Sequence, residues 1–225
     1  MDLMPMATIS IASAKGGCGK TTLAIVLGAV LAEQGYVTRL LDCDLNQHAS
    51  AFGAKNSLER LDVRPSVDEH NVLAELRSAE KEAEITLIDL PGGSSTLALK
   101  ALQRSNFVLV PCQASLPDVR DAMKTIAQVD DAQDLARSPI ARSLIWSRVL
   151  PGFESRAAKH VRMSAEDTGS PIFSSALMER AAFREMHITG TAPTSNSPIS
   201  AAAHNARAIA DELVLRLSQL AENVA

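Results

Sequence analysis

Aromatic residues are scarce, at 3% of 225 positions, with one Trp and one Tyr. Proteins that hold single-stranded nucleic acid without sequence preference stack bases on several exposed rings, so that class is excluded. Cysteine is equally sparse. Cys18, Cys43 and Cys112 are odd in number and match no zinc spacing. They read as reduced thiols in a cytoplasmic compartment. Long apolar runs are missing, and none reaches the ~20 residues of a membrane span. Met1 to Met6 carries no basic stretch, so a signal peptide is not expected. An excess of positive charge is missing too. The formal net charge is −4, so the surface as a whole offers no cationic field to nucleic acid, and only local patches remain for that task.

What is present is the balance of an ordinary globular chain, 46% hydrophobic and 21% charged. Short apolar runs alternate with longer helical patterns. Ala7–Ser13, Val37–Leu41, Arg60–Arg64, Ile85–Asp89, Asn106–Pro111, Leu144–Val149 and Pro171–Ser175 read as strands. Thr21–Gln34, Val67–Ala83, Pro117–Ala136, Ser155–Asp167 (with Ser155 as N-cap), Leu177–Met186 and Ser200–Glu222 read as helices. Thr189–Ser200, rich in Pro, Ser and Thr, reads as a loop. No repeat or clear linker divides the chain, so residues 1–225 are expected to form one domain. The alternation predicts an α/β fold, a doubly wound and mostly parallel sheet with helices on both faces.

The strongest local signal is Lys15-Gly16-Gly17-Cys18-Gly19-Lys20-Thr21-Thr22, which follows a predicted strand and opens a predicted helix. Glycines let backbone N–H groups turn inward on phosphate oxygens without a Cβ in the way. The helix start adds its positive end. Lys20 is placed to reach β/γ-phosphates, and the Thr21 hydroxyl to ligate Mg²⁺. Two acids, Asp42 and Asp44, follow the second predicted strand. In an open α/β sheet ligands bind beyond the carboxyl ends of the strands. Carboxylates placed there pay for desolvation, which a bound Mg²⁺ offsets. Ile85–Asp89 is an apolar strand ending in an acid, and Leu90-Pro91-Gly92-Gly93 follows. That acid is a second Mg²⁺ candidate, usually acting through a water. The five histidines are dispersed and read as surface or packing residues.

Ala14 stands where the usual phosphate loop has glycine, and Lys15 is an added lysine. This KGGxGKT form resembles the deviant Walker A ATPases of the ParA/MinD family, above all the short ParA-type partition ATPases. The resemblance implies a homodimer that sandwiches two ATP molecules. Lys15 crosses to the partner's phosphates, Asp44 orients the attacking water, and Asp42 supports metal or loop. Asp89, with Thr21 and Asp44, serves the metal. The family's D-x-D-P-Q is replaced here by Asp42-Cys43-Asp44-Leu45-Asn46. Glu179-Arg180-Ala181-Ala182-Phe183-Arg184-Glu185 resembles a further family stretch, E-R-x-A-F/Y-x-E, and Ser147-Arg148 matches a place near the adenine.

Basic residues gather between Arg137 and Arg184. Arg156, Lys159, Arg162 and Arg184 are candidate contacts to DNA backbone, which would be sequence-independent and doubled in a dimer. The implied function is an ATP-dependent switch that partitions plasmid or chromosomal DNA in the cytoplasm, on the nucleoid. A centromere-binding or cargo adaptor protein would stimulate hydrolysis. A second reading is positioning of another cargo, such as a conjugation complex or a protein assembly. A P-loop enzyme using ATP on a small substrate is a distant third. The phosphate loop begins so early that no additional operator-binding domain is expected. MinD-type relatives end in a basic membrane-binding helix, whereas Ala203–Ala225 sets Arg207 and Arg216 against Asp211, Glu212 and Glu222. It reads as a packing helix, with no membrane partner.

Overall fold

Seven strands form one sheet: β1 (Ala7–Ile11), β2 (Thr38–Asp42), β3 (Leu61–Arg64), β4 (Ile85–Asp89), β5 (Phe107–Cys112), β6 (Ala141–Val149) and β7 (Leu177–Met178). Their order is β3-β2-β4-β1-β5-β6-β7, and each of these neighbouring pairs runs parallel. The computed structural model describes residues 6–152 and 154–222. Most of the Met1–Met6 stretch and residues 223–225, the end of the Ala203–Ala225 stretch, lie outside the described residues.

Burial explains the apolar strands. Every residue of β1, β2, β4 and β5 is buried. Alternate residues feed two cores, as a pleated sheet covered on both faces requires. Ile9, Ile11, Leu40, Leu87 and Leu109 pack with α1 (Lys20–Glu33) and α9 (Ala201–Glu222). Leu41, Ile88, Val108 and Val110 pack with α3 (Val72–Glu82), α4 (Thr96–Leu102), α5 (Leu116–Ala136) and α6 (Arg156–Glu166). α1 buries eleven of its fourteen residues, so its amphipathic signal is weak because it is apolar nearly all round.

The α/β reading is correct, and several local readings are not. Pro171–Ser175 forms no strand; it contributes a single bridge, Leu144 to Ile172. Leu177–Met178, expected to start a helix, is the edge strand β7, and the helix α7 begins only at Ala181 and runs to Thr189. The asparagine Asn205 explains this locally: its Oδ1 accepts the Met178 N–H at 3.0 Å and its Nδ2 donates to Ala176 O at 2.8 Å, holding the segment extended. α2 (His48–Gly53), α4 and the four-residue α8 (Pro193–Asn196) were not read from the sequence. Ser155 caps α6 as expected, accepting the Ala158 N–H at 3.0 Å.

Candidate functional site

The loop 12–19 crosses from β1 to α1 along the carboxyl edge of the sheet. Gly17 and Gly19 take φ of +79° and +95°, a region open to glycine at little cost. Gly19 is the N-cap of α1 and no side chain caps this end, leaving the amides of the first turn to face the loop. Lys20 is 6% exposed, and its Nζ donates to the Lys15 carbonyl at 3.1 Å. The ammonium is thus folded back over the concave side of the loop, where an anion would take it over.

Asp89 ends β4 directly beside two other strand ends: β-pairing aligns it with Ile11 on one side and Asp42 on the other. It is fully buried, and both carboxylate oxygens lack a hydrogen-bond partner. Burial pushes its pKa up to about 7, opposed by the Thr21 hydroxyl, reinforced by Asp42 and opposed again by Lys20. A buried carboxyl with both oxygens open, beside a threonine hydroxyl and a lysine, fits an Mg²⁺–nucleotide complex and is costly without one. The residues that would hold the metal are Thr21 and Asp89.

Asp42 behaves differently. Its Oδ2 accepts the Ser50 N–H at 2.7 Å and the Ser50 hydroxyl at 2.6 Å, and its Oδ1 accepts the Asp44 N–H at 3.2 Å. It builds the loop between β2 and α2. The same loop is braced by Gln47, at a left-handed φ of +51°, whose Oε1 accepts the Ser66 N–H at 2.7 Å. Asp44 is half-buried, with Oδ1 accepting the Asn46 N–H at 2.9 Å and Asn46 Nδ2 at 2.8 Å. Leu45 is 97% exposed.

The loop after β4 rests on the phosphate loop. Gly93 N–H donates to Ser13 O at 3.1 Å. A Cβ on Gly92 would sit 2.8 Å from Gly16 N and 2.9 Å from Lys15 C. The two loops touch backbone to backbone. Lys15 itself ion-pairs with Asp118 of α5, whose carboxylate holds the lysine pKa above its usual value.

Arg148 lies at φ +52°, at the irregularity where β6 meets β7. It borders two depressions, one of about 290 Å³ with Gly19, Thr22, Leu177 and Phe183, the other with Ser147, Ser155 and Arg162. The Ser147 hydroxyl is buried without a partner. His48 and His187, read as unrelated, meet with ring centroids 6.4 Å apart, and His187 Nε2 lies 3.4 Å from Thr22 Oγ1. No sequence spacing signals this, because the contact depends on α7 packing against α2. Of the candidate DNA contacts, Arg156 and Lys159 on α6 are exposed, with no ion pair among the described residues. Arg162 pairs with Glu154 at 3.4 Å and lies over Trp146, and Arg184 pairs with Glu179. Those two are therefore spoken for in part. Among the described residues no helix is long and apolar enough to cross a membrane.

Comparison with known proteins identifies the family. The CobQ/CobB/MinD/ParA nucleotide-binding domain matches residues 9–193. The chain is 31% identical over 206 residues to protein virC1 of Rhizobium radiobacter, covering 84% of this chain and 88% of the relative. It is 24% identical over 219 residues to protein ParA of Rhizobium radiobacter, covering 95% and 99%. Among solved structures, MinD of Pyrococcus horikoshii complexed with Mg-ADP superposes with a TM-score of 0.75 at 21% identity, over 92% of this chain and 95% of that one. An ATP complex of McdA from Cyanothece gives 0.78 at 18%, over 92% and 96%. With its phosphate loop, its two acid-bearing strand ends and this match across most of its length, the chain belongs to the CobQ/CobB/MinD/ParA family of nucleotide-binding domains.

Proposed function

We propose that the protein is an ATP- and Mg²⁺-dependent switch ATPase of the ParA type, which dimerises around ATP and positions DNA. The observation that carries the nucleotide part is the open, buried Asp89 carboxyl beside Thr21 and Lys20, under a glycine loop and an uncapped helix start. Mg²⁺ bound with ATP neutralises charge on the β- and γ-phosphates. Lys20 and the loop amides bind the phosphates, Thr21 and Asp89 hold the metal, and Asp44 orients the water. Lys15 reaches the phosphates of the facing subunit. Leu45 and Leu150, 97% and 56% exposed, lie in the loops that follow β2 and β6, Leu116, 49% exposed, opens α5 just beyond β5, and a facing subunit would cover all three. Catalysis of this kind is positioning and electrostatics, with little covalent work for the protein.

The DNA part rests on Arg156 and Lys159, cations on one exposed helix face that have no ion pair among the described residues. A second reading, positioning of a protein assembly, has its own support: the chain is 24% identical over 187 residues to the maintenance of carboxysome distribution protein A of Halothiobacillus neapolitanus. One experiment separates them. Asp44→Ala, saturated with ATP and Mg²⁺, is expected to run as a dimer in light scattering and to retard duplex DNA at low salt only with ATP. A dimer indifferent to DNA moves the cargo to protein, and a monomer refutes the switch.

A further inference from the structure

Lys15 cannot serve a facing subunit without leaving a contact in its own. Asp118 lies near the start of α5 and is 8% exposed. Its carboxylate is served in two halves. Oδ2 accepts the Ser115 hydroxyl, while Ser115 Oγ accepts the Asp118 N–H at 3.2 Å, a reciprocal cap at a helix start. Oδ1 is buried, and among the described residues its partner is the Lys15 ammonium. The same helix grips the preceding residue: Ala14 N–H donates to Thr125 Oγ1 at 2.9 Å. Asp118 and Thr125 are seven residues apart, on one face of α5 two turns from each other. Exposed ion pairs contribute little. This one differs, because one partner is buried and one of its oxygens depends on the lysine.

We infer that Asp118 is a positioning residue that holds Lys15 in its own subunit and releases it only to the triphosphate of a facing one. The inference rests on the sandwich reading above. Release is possible because the Asp118 anion keeps its Ser115 cap and the positive end of α5. It is selective because the lysine exchanges one carboxylate for a more highly charged phosphate group. A diphosphate offers less in return, so Asp118 makes closure depend on the terminal phosphate.

The test uses the Asp44→Ala chain, which is expected not to turn ATP over, with and without Asp118→Asn. Asparagine keeps an oxygen for the cap and removes the charge. In the nucleotide-free protein, Lys15 is expected to be acetylated several-fold faster by acetic anhydride, read by mass spectrometry. The ATP concentration that half-dimerises the protein is expected to fall about tenfold, and ADP is expected to yield dimer where it gave none. Asp118→Glu, which restores a carboxylate, returns the midpoint toward that of the parent. If Asp118→Asn fails to fold, Asp118→Thr, which also keeps a capping oxygen, is expected to give the same fall. An unchanged or raised midpoint in a folded variant overturns the role of Asp118 alone. An Asp44→Ala parent that stays monomeric in saturating ATP removes the sandwich, and this inference with it.

Discussion

Replacing Gly92 by alanine isolates the contact between the two loops of the site. Gly92 does not adopt a left-handed φ, so its backbone tolerates a side chain. The obstacle is space: the new methyl would lie 2.8 Å from Gly16 N, 2.9 Å from Lys15 C and 3.1 Å from Lys15 O. These are backbone atoms of a short loop and cannot rotate away as a side chain would. Inserting a methyl into a packed contact costs about 1–3 kcal/mol. Both loops lie at the sheet edge, outside the two apolar cores, so the strain is relieved by moving the phosphate loop rather than by unfolding. The cost then falls on binding. At about 1.4 kcal/mol per factor of ten, it corresponds to a loss of affinity between about fivefold and about a hundredfold. Titration with a fluorescent ATP analogue measures it, and thermal melting without nucleotide is expected to change by less than about 2 °C. Gly93→Ala is the comparison: φ is +98° there but nothing lies within 4 Å, so it strains one backbone angle without pushing on the phosphate loop. Wild-type affinity in Gly92→Ala would refute the reasoning, since the loops would then have slack.

Lys20→Ala removes the cation folded over the loop and is expected to abolish measurable ATP binding in the same titration, with the nucleotide-free melting temperature kept. Arg39 is 4% exposed and joins β2 to Asp62 and Glu82, at 2.9 and 2.7 Å, and to Ser78 at 3.1 Å. Both acids face water once it is gone, so Arg39→Met is expected to cost about 1–2 kcal/mol rather than the larger penalty of a stranded buried charge. In a chain of this size that is a few degrees of melting temperature. Burial, and then the nearby His48, lower the pKa of His187. The unfolded chain therefore binds the proton first as pH falls through about 6.5, and stability is lost below that point. His187→Gln, which still bonds to Thr22, is expected to lessen the drop in urea midpoint between pH 7.5 and pH 5.5.

The sheet and its phosphate side were largely legible because local signals agree there. β4 matches its predicted bounds residue for residue, since Ile-Thr-Leu-Ile closed by Asp89 and followed by Leu-Pro-Gly-Gly has one plausible packing. Gly-rich loop, helix start and the acids of β2 and β4 followed from spacing. What was missed depends on distant partners. Six-residue α2 is set by Asp42 bonding Ser50 and by the strained Gln47, neither a propensity signal. β7 is held by Asn205, 27 residues away. No sequence signal singles out Asp118, and only the fold brings it to Lys15. The basic stretch after Arg137 looked continuous, but folding pairs Arg142 with Asp130, Arg162 with Glu154 and Arg184 with Glu179.

Ile11, Asp89 and Asp42 occupy a single rung across three neighbouring strands. The ladder therefore works as a ruler. The end of the phosphate-loop strand and the two acids are levelled by backbone hydrogen bonds before any ligand arrives. A slip of one residue in β4 would turn Asp89 to the opposite face of the sheet and expose its apolar neighbours at the same time. Misplacing the acid and misfolding the core are thus the same error, and selection for a stable sheet also keeps the site in register.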